Sequence, residues 1–210
     1  LPEELLLQAI DSLQVAGRIV RDGDAVYLRG YYVAERGVAD SMKALLATNS
    51  MIEPFNVHQA ITLAQKKIGL TLTKTQENAV GLAITEKVAV VTGGPGTGKT
   101  TILKAVLSIM ETLGLQVVLA APTGRAAKRL NEATGREAKT LHRLLDFRPG
   151  DGRFLQDQDN QLDADAVIVD ETSMVDILLM YHLLKAVPRR VSLLLVGDVD
   201  QLPSVGPGNV

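Results

Sequence analysis

Apolar positions recur at helical spacing over residues 2–16, where Leu5, Leu6, Ala9, Ile10 and Leu13 form one face and Gly17 stops the run. Two four-residue stretches, Arg18-Ile19-Val20-Arg21 and Ala25-Val26-Tyr27-Leu28, flank Asp22-Gly23 and predict a β-hairpin. Helical patterns follow at residues 38–47 and 57–68, the second opened by the cap candidate Asn56. Residues 49–54 between them are the expected domain boundary, giving a module over 1–50 and a second domain over 51–210. Beyond a further helix at 72–86, short apolar runs at 88–91, 116–121, 166–169 and 191–196 alternate with helical patterns at 101–113, 125–134 and 176–187. Buried strands alternating with helices read as an α/β domain with a mostly parallel sheet.

The chain has 210 residues, enough for one domain or one plus a small one, and its 46% hydrophobic content is ample for a packed core. No apolar run approaches the roughly 18 residues of a membrane span, so no membrane partner is expected. Leu1 is not an initiator methionine and the first residues lack the basic start of a signal peptide, so the chain reads as a segment of a longer protein. Cysteine is absent, which removes disulfides and thiolate metal sites and fits a cytoplasmic location. A net charge of −2 gives no global case for a nucleic-acid partner. Any such case has to be local.

The sharpest local signal is GGPGTGKT at residues 93–100, which fits the phosphate-loop pattern G-x-x-x-x-G-K-[ST] between a strand and a helix. Glycines let the backbone wrap a phosphate, while N–H groups at the helix N-terminus face the anion. The expected nucleotide contacts are Gly94, Pro95, Gly96, Thr97, Gly98, Lys99, Thr100 and Thr101. Lys99 reaches the β- and γ-phosphates and the Thr100 hydroxyl ligates Mg²⁺, so ATP with Mg²⁺ is the expected cofactor. Gln76 has two readings that do not exclude each other. With Thr73 it has the spacing of a capping box, and its amide also offers a donor and an acceptor to an adenine edge.

The second anchor is Ala166-Val167-Ile168-Val169-Asp170-Glu171, an apolar strand ending in two acids. Asp170 suits a Mg²⁺ ligand, and Glu171 suits the group that orients and deprotonates an attacking water. Gln201, on the loop after the 191–196 strand, is placed to report a γ-phosphate, although alone it is an ordinary polar loop residue. Between Thr123 and Arg143 lie Arg125, Lys128, Arg129, Arg136, Lys139 and Arg143 against only Glu132 and Glu137. On one face this excess would track a phosphate backbone, whereas a charge run is more often a solvated helix face. Residues 146–161 are polar and contain Phe147-Arg148 and Arg153-Phe154 around Pro149-Gly150-Asp151-Gly152, which reads either as a projecting hairpin or as a disordered loop.

Taken together, Gln76, GGPGTGKT at 93–100, APTGRAAKRL at 121–130, TLHRLL at 140–145, DETSMVD at 170–176 and GDVDQLPSVGPGNV at 197–210 resemble the first motor domain of a superfamily 1 DNA helicase. Within it the nearest likeness is to the RecD-like, exodeoxyribonuclease V alpha-chain family. The resemblance covers about residues 70–210, and the part ahead of it also resembles the region preceding the motor in stand-alone RecD-like proteins. It implies a RecA-like fold in which the 191–196 strand lies between the phosphate-loop strand and the Asp170 strand. It implies ATP hydrolysis by Lys99, Glu171 and Gln201, coupled to 5′-to-3′ movement on single-stranded DNA and separation of duplex at single-strand/double-strand junctions, in DNA repair and recombination. Thr123, Arg125, Lys128, Thr140 and His142 match motifs that hold single-stranded DNA, a largely sequence-independent contact. For His142 the plainer alternative is a packed or surface ring. The hairpin candidate stands where the family carries a strand-separating pin.

The family's second RecA-like domain would follow residue 210 and supply an arginine finger, whose absence costs roughly 10³–10⁵ in turnover in related enzymes. The expectation is that this chain binds nucleotide, hydrolyses it negligibly and unwinds nothing alone, the full-length protein being a monomeric motor. A competing reading is a phosphate-loop ATPase that switches or assembles without translocating. The helix and hairpin at the start resemble the end of a winged-helix module. They allow DNA contact through Arg18, Arg21 and Arg29, plain packing, or docking to other repair proteins.

Overall fold

The computed structural model describes residues 2–50, 52–201 and 203–208. Met51 in the expected boundary, and Leu202, Asn209 and Val210 of the last motif, lie outside the described residues. The chain opens with α1 (Glu3–Val15), the antiparallel pair β1 (Ile19–Asp22) and β2 (Ala25–Leu28), and α2 (Arg29–Leu46). Gly23 takes the turn at φ 59°, the left-handed region that glycine enters without steric cost. Helix α1 buries none of its residues, and Leu5, Leu6 and Leu13 of its expected apolar face stay exposed. Helix α2 starts nine residues before the predicted position, because Gly30 and Gly37 read as breakers when taken locally.

Next come α3 (Val57–Ile68), α4 (Lys74–Thr85), β3 (Val88–Thr92), α5 (Lys99–Thr112), β4 (Val117–Ala121) and α6 (Gly124–Thr134). They are followed by β5 (Ala138–Thr140), α7 (Leu141–Leu144), β6 (Phe147–Arg148), β7 (Arg153–Phe154), β8 (Ala166–Val169), α8 (Ile177–Ala186) and β9 (Ser192–Gly197). Five strands form one sheet in the order β3-β9-β8-β4-β5, every neighbour parallel. This is the α/β, RecA-like arrangement, with β9 between β3 and β8 as the motif resemblance implies. Strand β5 was not foreseen. It is three residues long and lies in the basic segment, too short and polar to show a strand period.

Alternation along the strands divides the interior in two. Ile168, Leu194 and Val196 face the core shared with α3, α4 and α5. Val167, Val169, Leu193 and Leu195 face the core shared with α8. A sheet covered on both faces reads as continuous apolar runs, which is why these strands were visible in the sequence. Leu45 of α2 belongs to the second core at 4% exposure, so α2 packs on the sheet domain through α8. Gly37 makes that approach possible, since a Cβ there would collide with the Tyr181 ring. Because every strand runs the same way, all five C-terminal ends open on one edge, where ligands gather in open α/β sheets.

Candidate functional site

The phosphate loop leaves the end of β3 and enters α5 with Gly98 as its N-cap. Gly96 and Gly98 take φ of 76° and 88°, so the loop's curvature uses the conformations that glycine allows. The Thr97 hydroxyl donates to the Gly94 carbonyl at 2.9 Å and closes the loop on itself. Lys99 Nζ donates to the Gly93 carbonyl, and to that of Gly94 at 3.1 Å. The ammonium thus rests on the loop's own carbonyls at the mouth of an anion cradle. Thr100 and Thr101 follow on the first turn of α5, Thr100 exposed.

Gln76 forms the capping box that its spacing with Thr73 predicts. Its Oε1 accepts from Thr73 N at 3.0 Å, and its own N–H donates to Thr73 Oγ1 at 3.3 Å, which completes the capping box of α4. Its Nε2 donates to the Thr97 carbonyl at 3.2 Å. The side chain therefore ties α4 to the phosphate loop, and a base edge would have to share or take over that donor.

Asp170 and Glu171 leave the end of β8, two strands from the loop. Asp170 Oδ1 accepts from the Glu171 N–H at 2.9 Å. Burial pushes its carboxyl above the ordinary carboxylate range, and the neighbouring Glu171 adds to the shift against the backbone hydrogen bond and Lys99. Glu171 stands at φ 54°, ψ 42°, a left-handed conformation that costs a non-glycine residue about 1–2 kcal/mol. Its Oε2 is buried without a hydrogen-bond partner. Local backbone strain and an orphaned acceptor thus coincide at this one residue.

Asp198 was missed as a functional residue. It follows β9 as Asp170 follows β8, and an acid directly after an apolar strand was the available signal. It is 1% exposed and lies 3.9 Å from Lys99 Nζ. The Gln201 amide donates to its Oδ2 at 3.0 Å and the Asp200 N–H to its Oδ1 at 3.1 Å. The Gln201 hydrogen bond holds Asp198 below the ordinary carboxylate range against the effect of burial, with Asp200 and Lys99 helping. Gln201 thus reaches Lys99 through Asp198.

The DNA candidates lie on the same edge. The register Ala121↔Thr140 sets the two loops after β4 and β5 side by side. Thr123 caps α6 by accepting from Ala126 N at 3.2 Å, and Thr140 caps α7 by accepting from Arg143 N at 3.2 Å. Their hydroxyl oxygens therefore place helix starts that point N–H groups outward. Arg125 and Lys128 are exposed on α6, with Lys128 3.8 Å from Glu132. His142 is exposed, yet its ring meets Phe147 at 5.4 Å and Phe154 at 5.7 Å. Ion pairs divide the basic segment. Arg136 pairs with Glu111 at 2.6 Å and Lys139 with Glu137 at 3.9 Å, leaving Arg125, Arg129 and Arg143 without an ion pair among the described residues.

No cluster of three or more His, Cys, Asp or Glu side chains capable of holding a metal occurs among the described residues. A divalent ion held by one carboxylate and one hydroxyl together with nucleotide phosphates needs no such cage. Asp170, raised by burial, and the Thr100 hydroxyl have the donor chemistry for that role. The glycine cradle fits a phosphate group, and the orphaned Glu171 oxygen fits a proton donor such as a water beside it.

A parallel sheet with a phosphate loop after one strand and acids after the two beside it defines a phosphate-loop nucleotide-binding domain. Residues 76–207 match the family described as AAA domain, and the chain belongs to that family. It is 42% identical over 202 residues to the ATP-dependent RecD2 DNA helicase of Deinococcus radiodurans, covering 94% of this chain and 27% of that protein. It is 38% identical over 212 residues to the RecBCD enzyme subunit RecD of Mycolicibacterium smegmatis, covering 90% of this chain and 37% of that protein. A Pif1 helicase structure from Candida albicans superposes with a TM-score of 0.49 at 26% identity, over 65% of this chain and 34% of that one. The RecD-like resemblance read from the motifs is borne out, and the likeness to the first two relatives reaches into the first fifty residues. No helix among the described residues is long and apolar enough to cross a membrane.

Proposed function

We propose that this chain is the nucleotide-gripping part of an ATP-dependent DNA helicase that moves 5′ to 3′ along single-stranded DNA in repair and recombination. One observation carries the reading: a single sheet edge holds the phosphate loop, both acids and the two capped helix starts of the DNA motifs. ATP hydrolysis and strand contact then share one rigid element. The first fifty residues would form a winged-helix-like module ahead of a motor over 51–210. Residues 146–161 would carry the strand-separating hairpin.

The chain's own residues suit each part of the work. N–H groups at the start of α5 receive phosphate oxygens, and the Lys99 ammonium exchanges the Gly93 and Gly94 carbonyls for the β- and γ-phosphates. Thr100 and Asp170 would hold Mg²⁺, which when bound neutralises phosphate charge. Glu171 orients the attacking water and takes its proton at the orphaned carboxylate oxygen. Gln201 senses phosphate occupancy through Asp198, because moving Lys99 removes a neighbouring positive charge from that carboxylate.

The test is nucleotide titration of the chain, with ATP turnover of the full-length protein measured with and without oligo-dT. Lys99→Ala is expected to weaken nucleotide binding by about 10- to 150-fold, the worth of a charge-assisted contact of ~1.5–3 kcal/mol. Turnover is expected to rise with oligo-dT. Turnover indifferent to DNA would favour the switch reading and overturn this one.

A further inference from the structure

The hairpin of β6 and β7 has only two rungs, and the rungs face opposite ways. Phe147 pairs with Phe154 and Arg148 with Arg153. Both phenylalanines are half-buried and both arginines exposed. The inner rung is a root: the two rings lie 4.9 Å apart, His142 meets both, and Phe154 stacks 4.5 Å from His182 of α8. A two-stranded ribbon this short is not stable alone, so this aromatic root holds it in place.

The outer rung does the opposite of stabilising. Two guanidinium groups directly across a ladder repel each other. Neither makes an ion pair among the described residues, although Asp151 stands in the turn between them. The turn itself is Pro149-Gly150-Asp151-Gly152, with the Asp151 and Gly152 N–H groups donating to the Arg148 carbonyl at 3.2 and 2.9 Å. Its one apolar side chain is the small ring of Pro149, exposed at the start of the turn. What the hairpin presents is paired positive charge on a fixed base.

We propose that Arg148 and Arg153 form a clamp for the phosphate backbone of duplex DNA, so that the hairpin meets a junction by gripping backbone. Guanidinium donors in pairs match phosphate oxygens, and an unpaired cationic rung gains from an anion what it loses to self-repulsion. This inference rests on the DNA-motor reading above, with the duplex side of a junction as the partner.

The experiment measures binding of the chain to a fluorescent forked duplex and to oligo-dT across a salt series. For the R148Q/R153Q variant the slope of log affinity for the fork against log salt should become shallower by about 1.8, the release expected for two phosphate contacts. R148K/R153K should restore most of that slope, which a merely structural loss of the hairpin would not allow. A fork slope unchanged by R148Q/R153Q overturns the clamp while leaving the motor reading intact if the unaltered chain binds oligo-dT. Failure of the unaltered chain to bind either DNA overturns both.

Discussion

Replacing Glu171 by Gln keeps the shape of the side chain and removes its charge, which separates catalysis from stability at one position. The left-handed backbone at φ 54° is unaffected by that exchange. The Oε2 environment is affected. A buried acceptor without a partner costs about 1–3 kcal/mol, more if charged, and a neutral amide in the same hole is cheaper to desolvate. Recovering about 1 kcal/mol should raise the melting temperature by roughly 2–4 °C for a chain of this size. Nucleotide affinity should hold, since Lys99 and the loop are untouched. Loss of the general base should lower DNA-stimulated turnover by about 10²–10⁴. Thermal unfolding by circular dichroism, a nucleotide titration and phosphate release by the full-length protein read the three quantities. Glu171→Gly should melt higher still, because it also relieves the left-handed strain. A Gln variant that melts lower would show that Oε2 has a native partner and refute the argument from the orphaned acceptor. A variant that loses ATP affinity and keeps its rate would refute the role in activating water.

Gly37→Val should drive a side chain into the Tyr181 ring and loosen α2 from α8, costing about 1–3 kcal/mol as overpacking does. Thermal unfolding with limited trypsin digestion checks it, and an unchanged melting temperature with Lys43 still protected would count against the contact. Asp198 and Asp170 should shape the acid side of the stability curve in opposite senses. The folded-state pKa of Asp198 is depressed, so its stabilisation is complete above the unfolded value near ~3.9 and is lost as pH falls through the lower folded value. The pKa of Asp170 is raised, so its charge opposes folding at neutral pH and that opposition fades as pH falls through the raised value. Asp198→Asn should therefore flatten the most acidic part of the curve, and Asp170→Asn should stabilise the nucleotide-free chain at neutral pH. Denaturant unfolding from pH 3 to 8 reads both, and identical acid limbs in the two variants would contradict the assignment.

What was legible in the sequence was whatever has a local period or a local composition. β8 and β9 are buried on both faces and show as apolar runs, as do β3 and β4, and the phosphate loop shows because its turns need glycine. The capping box of Thr73 and Gln76 was legible for the same reason, as both partners lie within one turn. Within residues 146–161 the structure has a two-rung hairpin at 147–154, held by aromatic packing across the chain between Phe154 and His182 that no local pattern carries. The early start of α2 was hidden because Gly37 serves a contact with Tyr181, more than 140 residues away. The division of the basic segment into paired and unpaired residues depends on Glu111, which the sequence places on a different helix. Asp198 escaped because what sets it apart is the Lys99 ammonium 3.9 Å away across the β9–β3 neighbourhood, a side-chain distance that strand order alone does not give.

That neighbourhood explains why so many local costs collect on one edge. Lys99 leans on backbone carbonyls, Asp170 is a carboxylate short of solvent, and Glu171 holds a strained backbone and an acceptor with no donor. Each cost alone has a plain structural alternative. Together they call for complementary partners in one place: an anion for the ammonium, a cation for the buried carboxylate and a proton donor for the orphaned oxygen. On the proposed reading, a nucleotide phosphate with its divalent ion and an attacking water would supply all three at once. The sheet can hold these groups in place because the two apolar cores beneath them are closed on either face, so the strain is confined to the edge where the ligand enters.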